Sequence, residues 1–184
     1  MLKEINRETI ISLKHLELVK INLEGGRVYE ACSRVGNKNA VAGIVRHTEN
    51  RSYILIEQYR YPVKQRVLEL VAGLIDKPNL TKEQIIEEEV IEETGYSQIQ
   101  SIEFLGETSG SAGKSSETTT LFDVEITGEK EKQNLGEMED IKVIEVPYND
   151  FDSFMKSKIK EGMIIDPKVC MAVYMTLEKI KKLL

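Results

Sequence analysis

The sequence predicts a single α/β domain in which helices pack on a mixed β-sheet, and three observations carry that expectation. The chain has 184 residues, 41% apolar and 30% charged, which suffices for one core and is too apolar for a disordered polymer. Its elements run strand-rich, one helix, strand-rich, two helices, which is neither a strict β–α–β repeat nor an all-β sandwich. No Pro-, Gly- or Ser-rich stretch and no solenoid-length repeat divides it.

The elements follow in order. Residues 11–22 mostly alternate apolar and polar, as a half-buried strand does. Gly25-Gly26 marks a turn, and residues 27–34 read as the return strand of an N-terminal antiparallel β-hairpin. Strands at 39–46 and 53–58 flank the polar turn Thr48-Glu49-Asn50-Arg51, and a short strand at 68–72 ends at Gly73. The first helix runs from Thr81 to Gly95: Thr81 and Gln84 fit a capping box, Gly95 suits a left-handed C-terminal cap, and Ile85, Ile86 and Val90 form its apolar stripe. Strands at 99–106, 118–126 and 140–146 precede helices at 148–160 and 166–184. Residues 1–38 are expected to form the hairpin extension, a candidate dimerisation element, and residues 39–184 the main domain.

Composition narrows the function classes. With 25 basic and 31 acidic residues the net charge is −6, which argues against a nucleic-acid binder. Apolar runs such as Val41-Ala42-Gly43-Ile44-Val45 fall far short of a membrane span, and the first eight residues contain no apolar signal core. Cys32 and Cys170 form no C-x-x-C pair and read as small core residues of a protein in a reducing, cytoplasmic compartment. His15 and His47 lack metal-ligand spacing and receive no role.

The first helix is electrostatically uncomfortable. It holds Glu83, Glu87, Glu88, Glu89, Glu92 and Glu93 against Lys82 alone, with like-charge i,i+4 pairs at 83/87, 88/92 and 89/93. Each pair costs a few tenths of a kcal/mol, and Glu92 and Glu93 sit at the end of the helix where the dipole disfavours anions. A solvated acidic face is one reading of this. The other is a divalent cation held by Glu89 and Glu93, one turn apart, with Glu92 beside them.

The surrounding residues favour the second reading. Glu89-Val90-Ile91-Glu92-Glu93-Thr94-Gly95-Tyr96, downstream of Gly73, resembles the Nudix box, G-x5-E-x7-R-E-U-x-E-E-x-G-U. The upstream half departs from it: Gly73 and Gly95 are 22 positions apart rather than 21, the box's first Glu falls on Asn79 or Leu80, and its Arg falls on Glu88. Those two family side chains commonly pair, so the departure is expected to remove a supporting interaction. It is also expected to leave Glu88 as surplus negative charge in the cluster, so that Glu88→Arg would relieve its repulsion of Glu92. Ile56-Glu57-Gln58-Tyr59-Arg60-Tyr61-Pro62, Leu68-Glu69-Leu70-Val71-Ala72-Gly73, Leu135-Gly136-Glu137-Met138-Glu139-Asp140-Ile141 and Lys160-Glu161-Gly162-Met163-Ile164-Ile165-Asp166 resemble, in order, segments of the ADP-ribose pyrophosphatase subfamily.

The resemblance implies a Nudix-type α/β/α sandwich with a mixed sheet. It also implies divalent-metal-dependent hydrolysis of ADP-ribose to AMP and ribose 5-phosphate. The implied metal ligands for Mg2+ (or Mn2+) are the Ala72 carbonyl, Glu89, Glu92, Glu93 and Glu139. Glu137 is the implied general base, with Glu92 as a further catalytic carboxylate. Arg34, Arg60, Glu69, Gly73 and Glu117 are the implied substrate-binding residues, Glu69 at the adenine end. The expected partners are a small nucleoside diphosphate compound and a second copy of the chain, with neither nucleic acid nor membrane. Two alternatives stay open: a Nudix pyrophosphatase for another nucleotide sugar, and a non-hydrolysing module that binds such a compound.

Overall fold

In the computed structural model, which describes residues 1–137 and 139–181, the apolar stretches resolve into eleven strands and three α-helices. Strands β1 (Glu4–Ser12), β2 (Leu16–Leu23) and β3 (Arg27–Arg34) form an antiparallel three-stranded sheet. Strands β4 (Ala40–His47), β5 (Ser52–Arg60), β6 (Gln65–Glu69) and β7 (Val71–Leu74) lead to helix α1 (Lys82–Thr94). Then come β8 (Gln98–Thr108), β9 (Thr119–Thr127), β10 (Ile141–Pro147), α2 (Phe151–Lys160), β11 (Ile164–Ile165) and α3 (Pro167–Lys181).

The main sheet is mixed, in the order β11-β6-β5-β4-β9-β8. Its centre is β4, parallel to β9 and antiparallel to both β5 and β7. The two antiparallel partners divide β4 between them: Val45–His47 pairs with β5, whereas Ala40, Val41, Ala42 and Gly43 pair with β7. The main sheet is therefore split, and β7 splays away under α1. Residues of β4 alternate between the two faces, and both faces are dry, so β4 reads as a continuous apolar run. Val41 and Val45 pack with Ile85, Ile86 and Val90 of α1, while Ala42 and Ile44 pack with Met155, Val169 and Val173 of α2 and α3. The expected α/β/α sandwich is present. Gly43 lets α1 lie close: a Cβ there would sit 3.1 Å from Ile86 Cγ1.

Several elements differ from expectation. The N-terminal unit is a three-stranded sheet rather than a hairpin, because the chain breaks at residues 13–15 and residues 4–12 form an additional strand. That strand is exposed along its whole length, so no one-sided burial pattern announces it. The strand expected at 68–72 is two strands, parted at Leu70. The two-residue β11, paired parallel to β6, is too short to carry a periodic signal. Cys170 is exposed and Cys32 half-buried, so neither is a core residue. Residues 182–184 of the last expected helix, and Met138 of the acidic segment, lie outside the described residues. No helix among the described residues is long and apolar enough to cross a membrane.

Beneath α3, a charged group replaces apolar packing. Fully buried Arg46 donates to Asp123 (2.7 and 2.9 Å), and Lys179 Nζ reaches the same carboxylate at 2.7 Å. Pairing from two sides, with hydrogen bonds from both partners, offsets the cost of burying these groups.

Candidate active site

The site forms where β7 passes beneath the C-terminal half of α1. The helix ends are built as the sequence predicts: the Thr81 hydroxyl accepts from Gln84 N–H, the Gln84 side chain accepts from Thr81 N–H, and Gly95 adopts φ 81°. These caps hold the register that turns Glu89 and Glu93 toward β7. Glu93 is 5% exposed and accepts from Ala72 N–H at 3.3 Å. Glu89 lies against Gly73, where a Cβ would stand 2.0 Å from Glu89 Oε1, so only glycine admits this approach.

Both carboxyls hold protons unusually tightly. Burial first, and then the nearby Glu92, push Glu89 up to about 7. Burial first, and then Glu89, push Glu93 up to about 8, against the opposing effect of the Ala72 N–H. Glu139 adds to the repulsion on both. These are acids gathered without enough positive charge around them. Among the described residues no three His, Cys, Asp or Glu side chains converge into a ready ligand set. The donors present are nonetheless all oxygens: buried Glu93 and half-buried Glu89 beside the Ala72–Gly73 backbone, with Glu92 and Glu139 near. This is the chemistry of a hard divalent cation that completes its shell with water or phosphate.

The loop before β10 is stitched to this helix end. Glu131 N–H donates to Gly95 O (2.8 Å), Asn134 N–H to Glu92 O (2.9 Å), and Gln133 Nε2 to both Glu93 O and Ile141 O. These bonds connect the loop carrying Glu137 and Glu139 to the acidic turn. Gln133 was not foreseen, because its partners are backbone atoms far away in sequence. Glu139 accepts from Gly136 N–H at 2.8 Å, and Glu137 is exposed.

A cavity of about 280 Å³ opens beside Ala72 and Gly73, bordered by Arg34, Arg60, Glu117 and Lys168. Five expected residues, Arg34, Arg60, Ala72, Gly73 and Glu117, therefore meet there, and Lys168 joins them from the start of α3. Arg34 is ion-paired with Glu117. Arg60 Nε donates to Glu69 at 2.9 and 3.1 Å, and this bonding is the main reason the Arg60 pKa rises further. Glu69 thus spends both oxygens orienting Arg60. His47, given no role from the sequence, braces a turn: Nε2 lies 2.8 Å from Gly128 O and Nδ1 accepts from Asn50 N–H.

The lost Arg–Glu pair of the box is not lost. Lys77, in the loop with the extra residue, forms an ion pair with Glu88. The charges have exchanged places, with the cation on the loop and the anion on the helix. Glu88 is therefore not surplus charge, and Lys77 also favours the ionised form of Glu89.

No family model matches the chain. A methanol dehydrogenase activator from Bacillus methanolicus is 30% identical over 187 residues, covering 98% of this chain and 95% of that protein. A crystal structure titled as an ADP compounds hydrolase superposes with a TM-score of 0.71 at 19% identity, over 98% of this chain and 95% of the other, and shows the fold to be Nudix-like. Identity and coverage of this extent place the chain in the same family as the methanol dehydrogenase activator, a family with the Nudix-like fold.

Proposed function

We propose that the chain is a hydrolase that cleaves the pyrophosphate bond of ADP-ribose to AMP and ribose 5-phosphate with Mg2+ or Mn2+. The observation that carries this reading is the placement of half-buried Glu89 and buried Glu93 against Gly73 and Ala72, two residues that themselves border a cavity lined by Arg34, Arg60 and Lys168. Carboxylates on the helix side of the Ala72–Gly73 backbone and cationic side chains on its cavity side suit a diphosphate that arrives with a divalent cation. The superposed ADP compounds hydrolase supports the same substrate class.

Each residue has a task that follows from its position. Arg60, held by Glu69, and Arg34, held by Glu117, present guanidinium donors to the phosphoryl oxygens, and forked donors suit that geometry. Lys168 adds a third charge. Glu89 and Glu93, with Glu92, Glu139 and the Ala72 carbonyl around them, would hold the cation, which when bound offsets charge building on the diphosphate. Glu137 takes a proton from the attacking water, and its exposed loop position lets it approach only when substrate is in place. The three-stranded sheet, with Ile10, Ile11, Leu16, Leu18 and Val28 exposed, is the surface for a second copy of the chain.

The test is a panel of ADP-ribose and other nucleotide sugars incubated with Mg2+ or Mn2+, with products separated by chromatography. AMP and ribose 5-phosphate are expected, together with a loss on the order of 10²–10³ in kcat for Glu93→Gln. Intact ADP-ribose with folded protein and either metal overturns the reading.

A second reading has one observation behind it, the 30% identical methanol dehydrogenase activator. On that reading the chain raises the activity of a dehydrogenase. Assays of methanol dehydrogenase with the parent chain and with Glu93→Gln separate the two: activation that survives the substitution does not use the acidic site.

A further inference from the structure

A basic cavity next to the candidate active site is left unused by the proposed reaction. It measures about 490 Å³ and is bordered by Lys14, His15, Arg34, Lys38 and Asp76. It shares Arg34 and Leu74 with the 280 Å³ cavity beside Gly73, so the two adjoin. A third cavity, of about 430 Å³, shares Arg34 and Arg60 with the central one and has apolar walls in Val63, Val67, Ile164 and Ile165. Arg34 borders all three, and the central cavity shares a second residue with each of the others, Leu74 with the basic one and Arg60 with the apolar one, so we read them as one trough with the diphosphate-sized cavity in the middle.

The two ends suit different arms of one molecule. A flat nucleobase gains from apolar walls and uses none of the lysines. At the basic end Arg34 is already held by Glu117, which leaves Lys14 and Lys38 against the single carboxylate of Asp76, in a chain whose net charge is −6. Lys38 and Asp76 form only a loose exposed contact at 3.7 Å. The Lys14 and His15 side chains have no hydrogen-bond or ionic partner among the described residues. A neutral ribose would use none of these charges, whereas a dianionic phosphate would use several at once, since a lysine is a compact charge with three rotatable donors.

We propose that this cavity binds a phosphomonoester on the arm of the substrate remote from the nucleoside. The inference rests on the proposed reading of the acidic site, because that reading places the diphosphate in the middle of the trough. His15 thereby acquires a binding role through its place at the turn between β1 and β2, and the three-stranded sheet becomes part of substrate selection.

The test is calorimetric binding in EDTA, where turnover does not intrude. It compares ADP-ribose, ADP-ribose 1″-phosphate (phosphate on the remote ribose) and 2′-phospho-ADP-ribose (phosphate on the adenosine ribose). The 1″-phosphate is expected to bind about tenfold tighter than ADP-ribose, the scale of one or two charge-assisted hydrogen bonds. Most of that ratio should vanish in Lys14→Ala/Lys38→Ala, both exposed positions. Equal affinity for the first two compounds, a ratio that survives the double substitution, a preference for the 2′-phosphate, or no binding of any of the three overturns the proposal. Hydrolysis of the same compounds in Mg2+ is scored separately. Absent turnover with phosphate-dependent binding intact overturns the hydrolase reading alone, and turnover with equal affinities overturns the basic site alone.

Discussion

At the scale of single residues, charge placement decides what this site can do, and Lys77 and Glu88 show how. A like-charge i,i+4 contact such as Glu88/Glu92 costs a few tenths of a kcal/mol. An exposed ion pair contributes about 0.2–1 kcal/mol, and here the low half applies, since the two side chains are 44% and 42% exposed. The terms are of similar size and opposite sign, so Glu88→Arg does not simply relieve repulsion: it also sets an arginine against Lys77. The expected outcome in urea unfolding is a small loss for Glu88→Arg and for Lys77→Glu singly, largely regained in the double variant, which restores the usual polarity of the pair. A Glu88→Arg protein more stable than its parent would mean that the Glu92 repulsion dominates.

Proton binding at Glu89 and Glu93 gives a pH prediction with a definite sign. Both pKa values rise on folding, from 4.5 to about 7 and about 8. The folded state therefore binds protons more tightly than the unfolded one, and that stabilisation is complete below pH 4.5 and lost as pH rises through 7 and 8. The melting temperature in EDTA should fall between pH 5 and 8. Glu93→Gln should flatten the fall, and Mg2+ should offset it by binding only the folded protein. A metal-free melting temperature that is level across this range, in parent and variant alike, would show that the carboxylates are not crowded.

At the scale of elements, the site depends on how closely α1 can approach β7. A capped helix sets the angular position of Glu89 and Glu93, and β7 contributes the backbone they lie on. Gly73→Ala should act through this contact alone. The new methyl occupies the place of the Glu89 carboxylate, so Glu89 must swing out, and kcat should fall by on the order of 10²-fold while the helix stays folded by circular dichroism. Unchanged turnover in Gly73→Ala would show that Glu89 is dispensable where it lies.

At the scale of the whole molecule, the N-terminal sheet is attached by few bonds. Cys32 N–H donates to Lys114 O at 2.8 Å, Ser116 N–H to Cys32 O at 3.2 Å and the Tyr29 hydroxyl to Gly113 O at 2.7 Å, and Arg34 pairs with Glu117. Leu18 and Val28 are 42% and 50% exposed and, with exposed Ile10, Ile11 and Leu16 on the same sheet, offer apolar surface for a second copy of the chain. The chain is expected to sediment as a dimer and to shift toward monomer in Leu18→Asp/Val28→Asp. A monomeric parent at micromolar concentration would remove this sheet as the interface.

What the sequence determined by itself is what local geometry carries. The Thr81 and Gly95 caps, the one-turn spacing of Glu89 and Glu93, the glycine at 73 and the apolar run of β4 act within a few residues, where local sequence is enough. Only the tertiary structure decided the partners. Arg34 and Glu117 are 83 residues apart, and Lys77 meets Glu88 across a loop whose path no periodicity specifies. Lys14 and Lys38 border one cavity only because the β1–β2 turn and the segment after β3 come together beside Leu74 and Asp76. The exposed β1 and the two-residue β11 were illegible for a related reason: hydrophobic patterning reports burial, and these strands are held by backbone pairing with little burial to report.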